Sequence, residues 1–323
     1  MKKKIFYMVI ASLSFLGCSK SNNSSPSSSS NESTTVFYVD TFTIYSTDLK
    51  GENRKLVVSE GPNTNNNYFG GTAYVAKSNK MAYLYTEAYN KPFFLRTCNL
   101  DGTDKKTIKT FQPGTQIGII KATTDGKIIY TMPGAAYPNQ TASKAYAINV
   151  DGTGEKELTI PLYASIYNPE LISADGNGIL DESGYFALIV NGVFDERNSF
   201  NVLLNEDKSK IRNLTMSKDA TQLAFVQETS TSRRYEVKVK AIKKDAPAAS
   251  VLYTVNISAD ANDDTPSVTF VNGAKNILVS YTKFTSPRGS SDDYTHCELI
   301  TTNDGKVVKT WNFTGDALRP FTN

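Results

Sequence analysis

The chain has 323 residues, with 35 Lys+Arg against 32 Asp+Glu, 39% hydrophobic and 21% charged side chains, which excludes a disordered chain and a membrane-embedded one. Lys2, Lys3 and Lys4 fall in a segment read below as removed, so the mature chain balances 32 basic against 32 acidic residues and gives no reason to expect nucleic acid as a partner. Three cysteines and one histidine exclude a disulfide framework and leave little for a Cys/His metal centre.

The N-terminus reads as an address. Lys2 to Lys4 precede an uncharged, mostly apolar run from Ile5 to Gly17, and Leu16-Gly17 stands directly before Cys18. A run of about 13 residues reaches only ~20 Å as a helix, short of the ~30 Å hydrocarbon core, so a permanent transmembrane helix is the weaker reading. The segment resembles a bacterial lipoprotein signal peptide, with Phe15 where that motif usually has Leu. The resemblance implies cleavage before Cys18 and acylation of that cysteine. The alternative is an ordinary secretory signal with an incidental Cys18.

Residues 18–35 then form the lipidated cysteine and a tether. From Ser19 to Thr35 nearly every residue is Ser, Asn, Thr, Pro, Lys or Glu. Such a stretch has no apolar surface to offset its ordering entropy and is expected to hold the folded body off the membrane as a flexible spacer.

From Val36 onward, short β-rich runs alternate with Gly/Asn/Asp turns, and one phrase recurs. An apolar strand ends in a polar turn in IYSTDLKG, FLRTCNLDG, AYAINVDG, FALIVNG, VKVKAIKKD and CELITTNDG. The turns end at residues 51, 102, 152, 192, 245 and 305, in steps of 51, 50, 40, 53 and 60, and a period near 50 is the length of a propeller blade. A second strand–turn–strand phrase lies between the copies, around Asn79, Gly126, Gly176, Asp219 and Gly273, at offsets of 28, 24, 24, 27 and 28 residues from the preceding turn. The two phased series favour a propeller over an irregular β-sandwich built from common Asp-Gly hairpins.

The inner hairpins TTDGK, SADGN and SKDAT, alternating with the NLDGT and NVDGT turns, resemble the six-bladed propellers of the TolB-like type. The resemblance covers Val36 to Asn323 and implies an all-β fold of six four-stranded blades over residues 36–323. It departs from TolB itself, which carries an N-terminal α/β domain where this chain has a tether. Each blade is stable only between neighbours, so the ring must close. Val36 opens on the second strand of a blade, and Leu318 to Thr322 end where the next inner strand should begin. The C-terminal stretch is therefore expected to supply the missing inner strand of the first blade.

Catalytic signatures are sparse. No GxSxG, HExxH, P-loop or dinucleotide fingerprint occurs. His296 and Cys297 are neighbours on a predicted strand and point to opposite faces, so they are read as packed residues rather than a catalytic pair. Cys98 and Cys297 are read as buried thiols, with any pairing between them left open. Ser173, Asp175, Asn177 and Asp181 imitate part of a calcium loop, but Gly184 stands where a bidentate Glu belongs. Asp260, Asn262, Asp263 and Asp264 are weak metal candidates, with a solvated acidic loop as the plainer reading. No cofactor is expected.

The ligand face of a propeller is made by connections between second and third strands and between blades. Those connections hold Tyr89, Tyr137, Arg233, Arg234, Arg288 and Tyr294, and the inter-blade set adds Tyr68, Phe69, Tyr163 and Tyr167. Rings and guanidinium groups around a channel mouth suit a peptide or glycan. Two functions follow: a noncatalytic recognition propeller for a protein, peptide or glycan, lipid-anchored in the bacterial cell envelope, at the outer membrane, and monomeric; or an envelope hydrolase or lyase with a metal-assisted site in the channel. No peptidase domain is expected beyond the propeller.

Overall fold

The computed structural model describes residues 35–40, 43–48, 51–60, 68–88, 90–117, 120–132, 144–158, 171–181, 183–190, 193–257, 265–271, 273–283, 294–314 and 321–322. These form six antiparallel sheets arranged as the blades of a β-propeller. The first blade holds β1 (Thr35–Asp40), β2 (Thr43–Asp48) and β3 (Lys55–Ser59), and the second β4 (Tyr68–Val75), β5 (Lys80–Thr86), β6 (Phe93–Asn99) and β7 (Lys106–Phe111). The third comprises β8 (Ile120–Ala122), β9 (Lys127–Met132), β10 (Lys144–Asn149) and β11 (Lys156–Leu158). The fourth comprises β12 (Gly178–Leu180), β13 (Tyr185–Val190) and β14 (Val193–Asn201). The fifth is β15 (Ile211–Met216), β16 (Gln222–Glu228), β17 (Arg234–Ala241) and β18 (Ser250–Asn256), and the sixth β19 (Ser267–Val271), β20 (Asn276–Lys283), β21 (Tyr294–Thr301) and β22 (Val307–Thr314). The last strand, β23 (Phe321–Thr322), pairs with β1 through Val36↔Thr322 and Phe37↔Phe321, so the first sheet has the order β23-β1-β2-β3.

Blade four departs from the expected four strands. Among the described residues its innermost element is a single bridge, Ile172↔Ile179, beside a three-stranded sheet. Its third and fourth strands meet with Val190 opposite Val193, leaving only Asn191-Gly192 between them. The short 40-residue step in the repeat comes from the second strand and the connection after it: β12 spans only Gly178–Leu180 and β13 begins at Tyr185, whereas in blade three β9 spans Lys127–Met132 and β10 begins at Lys144.

The recurring inner-hairpin motif is a hydrogen-bonding device. In blade three Thr123 Oγ1 donates to Asp125 Oδ1 at 2.5 Å and accepts from Lys127 N at 3.0 Å. Ser173 repeats this with Asp175 (2.5 Å) and Gly178 N (2.7 Å), and Ser217 with Asp219 (2.6 Å) and Gln222 N (2.9 Å). One hydroxyl thus satisfies a backbone donor and orients the carboxylate that caps the turn. Adjacent hairpins also join: Thr124 N donates to Ala174 O at 2.7 Å, and Ala174 N to Lys218 O at 3.0 Å, linking blades three, four and five.

The outer turns fix blade to blade. In four blades the outermost strand carries a one-residue bulge, at Val57, Ile108, Leu252 and Val308, where the register against the third strand skips. The glycine of the next blade's outer turn sits on the bulged carbonyl at three seams. A Cβ on Gly102 would lie 2.7 Å from Val57 O, on Gly152 2.7 Å from Ile108 O, and on Gly305 1.9 Å from Leu252 O. All three glycines also have positive φ, so the position demands glycine twice over.

Between blades four and five, Lys240 Nζ and Glu206 Oε1 meet at 3.2 Å with side chains only 2% and 4% exposed, and Ala249 N donates to the same carboxylate oxygen at 2.6 Å. Removing either charge would strand the other in a dry seam, which costs about 3–5 kcal/mol.

Candidate functional site

An antiparallel meander puts inner hairpins and outer turns at one end of each blade, and the second-to-third and inter-blade connections at the other. The second end is where recognition residues were expected. Tyr68 and Phe69 open β4 opposite Thr86 and Tyr85, with a bulge directly after Phe69. Arg233 lies in the β16–β17 turn with φ 58°, and its carbonyl accepts from Ile257 N at 3.0 Å. Arg234 begins β17, exposed, opposite Asn256. Tyr294 begins β21 opposite Lys283, whose ammonium stands 6.0 Å from the Tyr294 ring centroid. Tyr89, Tyr137, Tyr163, Tyr167, Arg288, Cys18, Asp260, Asp263 and Asp264 lie outside the described residues. Of the expected set, blade two thus carries Tyr68 and Phe69 and blades five and six carry Arg233, Arg234 and Tyr294.

Two polar clusters in the seams were not anticipated. In the first, the Glu60 carboxylate, directly after β3, accepts from Tyr83 Oη and from Arg96 Nη1 (2.8 Å), with Lys105 Nζ at 3.6 Å. Arg96 also lies 4.8 Å from the Tyr85 ring centroid and 5.1 Å from that of Phe94. Burial, followed by the hydrogen bond and negative charge of Glu60, pushes the Tyr83 hydroxyl well above its ordinary range, so it remains a proton donor. No sequence signal linked Glu60 to residues 23 and 36 positions away.

The second cluster surrounds the sole histidine. His296 Nδ1 stands 2.8 Å from Asn312 Oδ1, and Nε2 3.3 Å from Glu298 Oε1, with the ring 5.1 Å from that of Tyr281. Glu298 is held below the usual carboxylate range by its hydrogen bond to His296, against the opposing effect of burial. Tyr253, from blade five, is raised to about 12 by burial and by Glu298. The i,i+2 spacing of His296 and Glu298 on one strand was the legible signal here. Cys297 faces the other way, fully buried with Val36, Tyr38, Val271, Leu278 and Leu299. Cys98 and Cys297 are free thiols, and burial raises both, Cys98 to about 11.

The calcium-loop resemblance resolves into turns. Asp175 accepts from Ser173 and from Asn177 N (2.9 Å), while Asp181 Oδ1 caps Tyr185 N (2.8 Å) and accepts from Ser183 Oγ (2.7 Å). Gly184 takes a positive φ of 83° in a tight turn. Among the described residues no three His, Cys, Asp or Glu side chains gather in a metal-holding group.

No family model and no curated protein matches the chain. Solved structures do. A protein from Lactobacillus plantarum is similar with a TM-score of 0.51 at 13% identity, over 90% of this chain and 99% of that one. The β-propeller domain of Cps50 (Swd1) from Myceliophteria thermophila gives 0.43 at 9% identity, over 86% and 85% of the two chains. Oligogalacturonate lyase from Vibrio parahaemolyticus gives 0.45 at 11%, over 76% and 71%. The likeness is one of fold. Chemistry has to be argued from this chain's own residues.

Proposed function

We propose that this is a lipid-anchored recognition propeller of the bacterial cell envelope, of TolB-like type, noncatalytic, binding a protein, peptide or glycan through the connection face. The observation that carries the reading is the order of parts along the chain: a charged and apolar leader, Cys18, a Ser/Asn-rich spacer, then a closed ring of blades. A spacer between an acylated cysteine and a rigid body serves to present that body at a distance from a membrane. The connection face supplies aromatic and guanidinium groups, Tyr294, Arg233 and Arg234 among them, which suit recognition of polar, extended ligands.

The test is capture of partners by the intact lipoprotein from its own membranes, alongside a Cys18→Ser variant. The expected result is incorporation of a palmitate analogue into wild type, its loss with release into the soluble fraction in Cys18→Ser, and a defined partner retained by the wild-type protein. A labelled Cys18→Ser protein, or a protein that hydrolyses or eliminates across an envelope polysaccharide, overturns the reading.

A further inference from the structure

We propose that the outer edge of blade five is a docking edge for an extended, acidic segment of a partner protein, which adds alongside β18 as a fifth strand. The proposal adds a second surface to the connection face named above and rests on the reading of the protein as a recognition propeller.

An outermost strand presents unpaired backbone donors and acceptors, and proteins commonly blunt such edges with charge. Five of the six outermost strands here do so: β3 carries Lys55, β7 Lys106 and Lys109, β11 Lys156 and Glu157, β14 Asp195, Glu196 and Arg197, and β22 Lys309. Only β18, Ser-Val-Leu-Tyr-Thr-Val-Asn, holds no charged residue over its seven positions. The bulge at Leu252 is shared with three other blades and does not set β18 apart. Among the described residues no strand pairs with its outer edge.

The neighbourhood is apolar and exposed. Val251 is 51% exposed, the next blade's turn glycine, Gly305, packs on Leu252, and the outermost strand of that blade exposes Val307 and Val308 (39% and 55%). Charge identifies the occupant. Residues 207–257 hold ten Lys or Arg against five Asp or Glu. Several of these are already committed: Arg212 to Glu228 (2.6 Å), Lys238 to Glu236 (3.4 Å), Lys210 to Asp207 (3.5 Å) and Lys240 to Glu206. Lys243 and Lys244, in the turn leading into β18, and Arg234, opposite its last residue, are exposed and make no ion pair among the described residues; Asp245 is the acidic neighbour of the two lysines. An uncharged edge with exposed cations at both ends is complementary to a strand that is β-branched at its centre and acidic at its ends.

The test uses the intact lipoprotein in detergent micelles and a fluorescein-labelled peptide with a Val-Thr-Val-Thr-Val centre flanked by Asp-Glu pairs, read by anisotropy against the same peptide flanked by Lys-Lys. The expected result is at least tenfold tighter binding of the acidic peptide, weakened at least tenfold by Val251→Glu and by the Lys243→Glu/Lys244→Glu pair, with an unchanged thermal midpoint. Equal binding of both peptides, or wild-type affinity in Val251→Glu, overturns the proposal. So does a wild-type dimer that Val251→Glu converts to monomer, because a second copy then occupies the edge. Any of these results removes the edge and leaves the connection-face reading standing, since partner capture from membranes tests that reading separately. Peptide binding of the expected kind, without any partner captured from membranes, supports the edge and removes the envelope reading instead.

Discussion

The seam between blades six and one is built differently from the seams between blades that follow each other in the chain. At the seams between blades one and two, two and three, and five and six, a turn glycine rests on a bulged carbonyl. At the closing seam, Gly51 rests instead on the indole of Trp311, where a Cβ would lie 2.4 Å from Cδ1. Around it Tyr38 and Tyr45 stack at 5.6 Å, the Arg54 guanidinium lies 3.9 Å from the Tyr45 centroid, and Val36, Leu278, Cys297 and Leu299 fill the interior. The seam between blades five and six is mainly aliphatic, with Val226, Val237, Val255, Ile277 and Val279 at its centre. Aromatic packing is shared with the first two seams, where Phe37 stacks on Tyr74 and Tyr130 on Tyr146, so what sets the closing seam apart is the indole under Gly51 in place of a bulged carbonyl, and a first blade whose inner strand β23 is held by two paired residues.

The strongest way to break this contrast is to remove residues 317–323. Loss of β23 exposes the edge of β1 and leaves the closing seam to side-chain packing alone. The expected outcome is cooperative destabilisation larger than for any substitution below, read as a lowered thermal midpoint. Trp311 is the sole tryptophan, so its fluorescence reports the closing seam directly. An unchanged midpoint would show that β23 contributes nothing to closure.

Gly305→Ala tests a consecutive seam. The positive φ of 67° costs a non-glycine residue about 1–2 kcal/mol, and displacing the Leu252 carbonyl adds about 1–3 kcal/mol of overpacking. Denaturant titration should show a loss of that summed order with an unaltered slope. Trp311→Ala at the closing seam should cost about 2–3 kcal/mol, below the usual range for a buried tryptophan because this ring is only part-buried.

Thiol labelling sharpens the comparison kinetically. Cys297 reports the closing seam, and Cys98 packs with Phe37, Val57 and Met81 where blades one and two meet. Burial disfavours both thiolates, so a Cys18→Ser protein should react slowly under native conditions. If the ring opens first where it closes, Cys297 reacts before Cys98 in mild denaturant. The reverse order would place the weakest seam elsewhere.

The smallest expected effect is electrostatic. The hydroxyl of Ser217, opposed by modest burial and helped by Thr221, holds the Asp219 carboxyl below the usual carboxylate range. A depressed folded value contributes stability above the unfolded carboxylate value of about 4, and that contribution is lost as pH falls through the folded one. Asp219→Ala should therefore lower the midpoint at neutral pH, with the gap to wild type narrowing in acid. A gap that widens in acid would contradict the assignment.

The repeat was legible because its turns are local. Ser217, Asp219 and Gln222 form their hydrogen bonds within five residues, so spacing alone marks the hairpin. The same locality puts His296 and Cys297, neighbours on one strand, on opposite faces. In blade four the two turns fall where the spacing puts them, but the inner strand shrinks to one bridge, which no turn residue announces.

Composition and period, by themselves, determined the class, the blade count and the phase of the strands, since period-two alternation and turn chemistry act over a few residues. Which groups meet across the seams was decided only by tertiary structure. Glu60 reaches Tyr83 and Arg96, Trp311 covers Gly51, and Lys240 finds Glu206 because twist and bulges rotate each blade onto the next. A contact spanning 260 residues, as between Gly51 and Trp311, leaves no trace in local spacing, because neither partner is constrained by its own neighbours to expect the other.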